Sequence, residues 1–486
     1  MKRFDFHILS LVTGIALFLF FLLFVDLSPK HPEVTRTMAV AILMALLWVT
    51  EAIPLPATAL IPVVLFPFLG IMSGKKTASL YFNNVIFLFL GGFIMALAME
   101  KWNLHRRIAL KIILLIGSGY RRLLLGFMLA TSFLSMWISN TATVMMMTPI
   151  AMAVISRLEE GKEQKRIRRF SIGLLLGIAY SASIGGIATL IGTPPNAIFV
   201  KIMGIYFPNI PEISFSSWFI FAMPISFTFF VFIWALLVFL YCPKEASSVD
   251  KSIFQKEYDR LGPMGYEEKV VAVLFSLLAL MWLTRADIRI GSFIIHGWSS
   301  LFPDPKFIDD GTVAITVSLL LFFIPCQGKE WKTIMDWETA KGLPWGIILL
   351  FGGGFALAAG FKSSGLSLWM GKRFTQLSHM PLYLIIISIC SGVSFLTEFA
   401  SNTASAQVIL PVMASLAKAI NVSPFITMVP ATISASCAFM LPVATPPNAI
   451  IFGTNRLSVW DMFKTGIFID IMGVIIISFF SLLWFR

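Results

Sequence analysis

Apolar runs long enough to cross a bilayer recur from one end of this chain to the other, and they leave few folds open. A spanning helix needs about 20 mostly apolar residues, because the hydrocarbon core is about 30 Å thick. Residues 9–25, 86–99, 219–241, 270–283 and 467–485 are the clearest runs, and neutral flanking residues complete the shorter ones. A soluble core of this size would need polar faces to cover it. Of the 486 residues, 58% are hydrophobic and only 13% are charged, so that cover does not exist. The first run follows Lys2 and Arg3. It exceeds the ~7–15 apolar residues of a secretory signal core and lacks a small-residue cleavage site, so it reads as a retained first helix.

The formal net charge is +12. In a soluble protein this would raise the question of nucleic acid; here the basic residues lie in loops and report topology. One stretch holds Arg157, Lys162, Lys165, Arg166, Arg168 and Arg169, and another mixes Lys244, Lys251, Lys256, Arg260 and Lys269 with acids. Both read as cytoplasmic, as does the N-terminus. The four cysteines (Cys242, Cys326, Cys390, Cys437) lack metal or redox spacing and read as small core residues.

The chain also repeats itself. Ser139-Asn140-Thr141-Ala142 recurs as Ser401-Asn402-Thr403-Ala404, an offset of 401 − 139 = 262. Gly91-Gly92-Phe93 recurs as Gly353-Gly354-Phe355, again 353 − 91 = 262. Thr193-Pro194-Pro195-Asn196-Ala197-Ile198 recurs as Thr445-Pro446-Pro447-Asn448-Ala449-Ile450, with 445 − 193 = 252. Counting crossings from a cytoplasmic N-terminus, the second repeat runs opposite to the first, the inverted arrangement common in secondary carriers.

The expected fold is an all-α polytopic membrane protein with eleven crossings and two re-entrant hairpins, its C-terminus external. Scaffold helices occupy 1–53. A first repeat over 54–241 holds a hairpin at 122–156 and a broken helix at 170–206. A cytoplasmic loop follows over 242–265, then a connecting helix and outer loop over 266–310. The second repeat, 311–486, holds a hairpin at 381–420 and a broken helix at 423–455.

Two adjacent prolines inside a spanning helix remove two backbone donors and force the helix to unwind. Bare backbone groups cost several kcal/mol each in hydrocarbon, so a break survives only where protein or a polar cavity satisfies it. The carbonyl end of a break suits a cation and the N–H end suits an anion. The hairpin tips offer neutral dual-purpose groups: the hydroxyls of Ser139, Thr141, Ser401 and Thr403 and the amides of Asn140 and Asn402. Helix capping explains such residues at one turn; it does not explain why both copies keep all three. The tips carry no Lys or Arg, so bound cations and helix N-termini must neutralise any dianion held there. Glu398, inside the second hairpin, has Met136 at its matched place (398 − 262 = 136), which favours a structural role. Glu51 reads as structural too.

In these motifs, and in Trp48-Val49-Thr50-Glu51-Ala52-Ile53-Pro54, the chain resembles the divalent anion:sodium symporter family of di- and tricarboxylate carriers over nearly its whole length. The resemblance implies hairpins and broken helices that form a transport domain sliding, elevator-like, past a homodimeric scaffold. It implies one sodium held by Ser135, Ser139, Asn140 and the backbone of Gly192, and a second held by Thr397, Asn402 and the backbones of Ala400 and Ala444. A dicarboxylate would touch Asn140, Thr141, Asn402 and Thr403, with Thr193 and Thr445 completing the pocket. Sodium is the co-transported ion, and no organic cofactor is implied. The family also contains exchangers; the retained hydroxyl and amide ligands favour symport. A membrane enzyme would need a nucleophile with a base, or a metal cluster, at membrane depth, and a channel would not explain inverted repeats around broken helices.

Overall fold

The structure is a computed structural model of the full chain; it describes residues 3–117, 119–159, 164–243, 251–290, 293–328 and 331–485. Lys162 and Lys244 of the basic loops, and Met1 and Lys2, lie outside the described residues. Among the described residues, eight helices are long and apolar enough to cross a membrane. Shorter apolar helices at Leu55–Phe68, Asp310–Phe323, Leu382–Thr397 and Pro424–Ser434 lie among them.

Local chemistry starts and stops these helices. The Asn84–Lys101 helix is capped by Asn83, whose side chain accepts from Val85 N, and the Asp310–Phe323 helix by Asp309, which accepts from Thr312 N. Glu51 ends the Pro32–Thr50 helix in the left-handed region, φ 48°. The start of the first repeat, from residue 54, is not one helix: it divides into Leu55–Thr58 and Ile61–Phe68, because Pro62 has no N–H to give the Thr58 carbonyl. The segment after the Tyr266–Thr284 helix holds a short antiparallel strand pair, Ile288–Ile290 with Phe293–Ile295, which periodicity did not reveal.

Both repeats present the same order of parts. The glycine-containing helices Asn84–Lys101 and Trp345–Ser363 are followed by short arms, Leu104–Ile116 and Leu366–Phe374. Hairpins come next: Tyr120–Ser135 with Asn140–Glu159, and Leu382–Thr397 with Asn402–Ala419. The broken helices are Gln164–Ile187 with Pro194–Tyr206, and Pro424–Ser434 with Pro446–Phe452. Each repeat closes on a long helix, Phe215–Tyr241 or Val459–Phe485.

Each glycine-containing helix packs on the opening helix of the other repeat. A β-carbon on Gly91 would lie 2.5 Å from Ala314, and one on Gly353 would lie 2.5 Å from the carbonyl of Ala59. Glycine is needed at both places because backbones meet there. The closing helices, hairpins and broken helices pack into a second body. In it, each hairpin's second arm lies against the far half of the other repeat's broken helix.

Candidate binding site at the hairpin tips and helix breaks

Both breaks begin earlier than the prolines. The first helix ends at Ile187 and resumes at Pro194; the second ends at Ser434 and resumes only at Pro446. A helix end leaves carbonyls without partners, and here a side chain from beyond the prolines collects them. Asn196 Nδ2 donates to the carbonyls of Gly186, Ile187 and Thr189 at 3.2, 3.2 and 2.7 Å. Asn448 Nδ2 donates to those of Ala438 and Leu441 at 3.1 and 3.0 Å. The asparagine after each proline pair is thus a staple across its own break. Trp218 adds a bond to Ile187 O, and Tyr180 Oη one to Phe439 O, which ties the first broken helix to the second break.

The first tip gathers oxygens. Ser135 Oγ lies 2.5 Å from Asn140 Oδ1. The Asn140 amide also faces the carbonyls of Ala182 and Gly192, at 3.1 and 3.3 Å. With its nitrogen inward, the amide donates to all three oxygens. With its oxygen inward, four oxygens converge on one buried point, the donor set a hard cation takes. Either orientation is available to an amide.

The second tip repeats the arrangement. Thr397 Oγ1 lies 2.8 Å from Asn402 Oδ1 and 2.9 Å from Ala435 O. Thr397 stands where Ser135 stands and Asn402 where Asn140 stands, both at an offset of 262 (397 − 135 and 402 − 140).

Of the sodium ligands expected at the first tip, the structure brings Ser135, Asn140 and Gly192 together. Ser139 sits beside them, its hydroxyl accepting from Ala142 N at 3.3 Å as a helix cap. At the second tip Thr397 and Asn402 come together. Ala400 and Ala444 are buried, and the hydrogen bonds of this cluster run through Ala435 instead.

The carbonyls of Ala182 and Ala435 were missed. A signal for them existed: Ser181-Ala182-Ser183 recurs as Ser434-Ala435-Ser436, with 434 − 181 = 253.

Among the substrate candidates, Thr141 begins the second arm of its hairpin beside Asn140 and is half-buried, while Thr403 is buried. Thr193 is buried in extended backbone, and Thr445 Oγ1 accepts from Asn448 N at 3.3 Å, capping the resumed helix. Helix N-termini at Asn140 and Pro194 start at the first cluster and that at Asn402 at the second, and they bring partial positive charge there.

Glu398 has a structural place, with backbone N–H groups of the second break as its partners. Its Oε1 accepts from Phe439 N and Met440 N at 2.6 and 2.8 Å, and its Oε2 from Leu441 N at 2.9 Å. It therefore holds the second break. Asp470, which sequence reasoning passed over, is buried on the last helix and takes a bond from Ser394 Oγ at 3.3 Å.

The family described as "Sodium:sulfate symporter transmembrane region" matches residues 7–486. The chain belongs to this family, the divalent anion:sodium symporters, and is a multi-pass membrane transporter rather than an enzyme. It is 41% identical over 478 residues to a protein of Staphylococcus saprophyticus named sodium-dependent dicarboxylate transporter SdcS, covering 97% of this chain and 90% of that one. It is 43% identical over 479 residues to the protein of the same name from Staphylococcus aureus, with the same coverage, 97% and 90%. The solved structure of the Alcanivorax borkumensis YdaH transporter superposes with a TM-score of 0.55, covering 93% of this chain and 98% of that one. At 12% identity that likeness speaks to the fold alone.

Proposed function

We propose that this protein imports small dicarboxylates of the succinate, malate and fumarate type, driven by sodium ions that bind with them. The observation that carries the reading is the oxygen cluster at Asn140, where Ser135 Oγ, Ala182 O and Gly192 O surround an amide that can turn its oxygen inward. Its counterpart at Thr397, Asn402 and Ala435 supplies a second seat. Two cations between two tips lower the cost of bringing a dianion into a site that has no Lys or Arg in its tip sequences. The names of the relatives, sodium-dependent dicarboxylate transporters, support the same chemistry.

In this reading Ser135, Ser139, Asn140 and Gly192 hold one sodium, joined by the Ala182 carbonyl. Thr397, Asn402, Ala400 and Ala444 hold the other, joined by that of Ala435. The dicarboxylate lies between the tips, against Asn140, Thr141, Asn402 and Thr403, with Thr193 and Thr445 behind. The two repeats run in opposite senses, giving eleven crossings and two hairpins that enter from opposite sides. The N-terminus lies in the cytoplasm and the C-terminus outside. Hairpins and broken helices move as one body past a scaffold that pairs into a homodimer. The reciprocal packing of Gly91 on Ala314 and Gly353 on Ala59 supports opposed repeats, since each opening helix serves the other copy.

Uptake of labelled succinate into empty proteoliposomes, with and without an inward sodium gradient, tests the reading. A symporter fills empty vesicles only with sodium. Uptake that ignores sodium and requires internal dicarboxylate would replace symport with exchange.

A further inference from the structure

The two hairpins, so alike in sequence, meet the rest of the molecule differently. The second arm of hairpin 2 packs on the Trp345–Ser363 and Pro32–Thr50 helices and on the Leu366–Phe374 arm. At its centre Gln407 is 0% exposed, and its Nε2 donates to Leu350 O at 2.6 Å. It sits in a notch made by a missing side chain: a β-carbon on Gly354 would overlap Gln407 Cγ. The same seam is bridged by Lys362 Nζ, which donates to Ile205 O, and by Tyr206 Oη, which meets Ser367 Oγ at 2.8 Å.

At the matched positions of the other copy the seam is open. Met145 stands where Gln407 stands (407 − 262 = 145), and Gly92 where Gly354 stands (354 − 262 = 92). Met145 is 59% exposed. With Ala142 and Thr143 it lines a cavity of about 260 Å³ whose far wall includes Glu100 and His105. Gly92 is buried, and the side chain nearest a β-carbon on it is that of Ile191, at 3.4 Å, so Ile191 rather than the hairpin covers this notch.

We infer that Gln407 is a positioning residue of the transport cycle, holding the hairpin-2 seam shut in the notch at Gly354, and that Met145 takes the matching seat at Gly92 when the opposite seam closes. The inference rests on the reading of two opposed repeats that alternate.

The two seats are unequal in chemistry. Gln407 adds a buried hydrogen bond that a methionine lacks, which favours the state seen here. Its Oε1 is buried with no partner, and that cost offsets part of the gain. The cavity at Met145 lies directly behind Asn140 and Thr141 in sequence, so the open seam is the one beside the first tip.

The test uses the full-length protein in proteoliposomes, with the cysteine pair Gly92→Cys and Met145→Cys. Position 145 is 59% exposed, and a β-carbon at position 92 meets Ile191 at ordinary contact distance, 3.4 Å. During turnover with sodium and succinate, oxidation is expected to form a disulfide between them, located by mass spectrometry. Uptake should stop and recover on reduction. Continued uptake with no disulfide, or a disulfide that leaves uptake unchanged, overturns the seat at Gly92.

Adding Gln407→Leu or Gln407→Met to the pair tests the latch. The ratio of cross-linking rate to maleimide labelling rate at position 145 should rise about fivefold, the worth of one buried hydrogen bond. A folding defect lowers both rates together and leaves the ratio alone, and an unchanged ratio in both variants overturns the latch. Sodium-driven uptake by the unmodified protein, measured alongside, separates failure of the inference from failure of the symport reading.

Discussion

The two helix breaks carry the same hexapeptide and are held by different chemistry. In the first, Thr189 Oγ1 donates to Met136 O of its hairpin at 2.5 Å and accepts from Gly192 N at 3.1 Å. In the second, the matched residue is Leu441 (441 − 189 = 252), and the hairpin supplies Glu398 instead, at the place of Met136. One hydroxyl bridges the first break; one carboxylate takes three backbone N–H groups in the second. The environments differ too. The first break is buried throughout, whereas Val443 in the second is 82% exposed. A short buried break needs one small clamp, while a longer exposed one needs a group that can hold several donors at once. Repetition of a motif therefore conserves the problem and leaves the solution free.

The largest effect should come from the element the copies share. Asn140→Ala and Asn402→Ala should each cut sodium-driven uptake on the order of 100-fold while leaving the protein folded, since each removes the amide at the centre of its oxygen cluster. Near-normal uptake in one of them would mean that only one cluster works.

Next come the unequal clamps. Glu398→Ala strands the buried N–H of Phe439 and the half-buried ones of Met440 and Leu441 and should cost roughly 3 kcal/mol of stability, against about 1–2 kcal/mol for Thr189→Val. Thermal unfolding in detergent measures both; equal losses would erase the distinction drawn between the breaks.

Gly354→Ala should cost about 1–3 kcal/mol through overpacking against Gln407, and Gly92→Ala under about 1 kcal/mol. The reverse order would mean that the seam at Gln407 is loose.

The smallest effect lies at the ends of the two glycine-containing helices, where Lys101 pairs with Asp336 at 2.6 Å and Lys362 meets only a carbonyl. The hydrogen bond from Lys101 is the main cause holding the Asp336 carboxyl down at about 2, below its ordinary value near 3.9. Its folded pKa is depressed, so the stabilisation is present above about pH 4 and fades as pH falls toward 2. Asp336→Asn should remove less than about 1 kcal/mol, because the carboxylate is half-exposed, and should flatten that acid-side slope in a pH-dependent melt.

Much of the architecture was legible because hydrocarbon is an unforgiving solvent. Helices of about bilayer length, the positions of the hairpins and the existence of two breaks all follow from apolar length, paired prolines and a repeat of three motifs. The opening span of the first repeat was not legible as two pieces, since Pro56 and Pro62 sit in an otherwise continuous apolar run. The length of the breaks was not legible, because the unwinding spreads to wherever staples can reach, and Asn196 and Asn448 reach back as far as Gly186 and Ala438.

Sequence alone determined that this chain lives in a membrane, because composition meets a solvent constraint; the family resemblance pointed to Ser135 beside Asn140 and to Thr397 beside Asn402. Only tertiary structure decided that the carbonyls of Ala182 and Ala435 complete the clusters, that Glu398 grips the second break, and that hairpin 2 rather than hairpin 1 is docked. Every residue carries the same carbonyl, so its use is invisible until the backbone is placed. Two repeats built of the same parts are compatible with either seam being shut, and packing selects one.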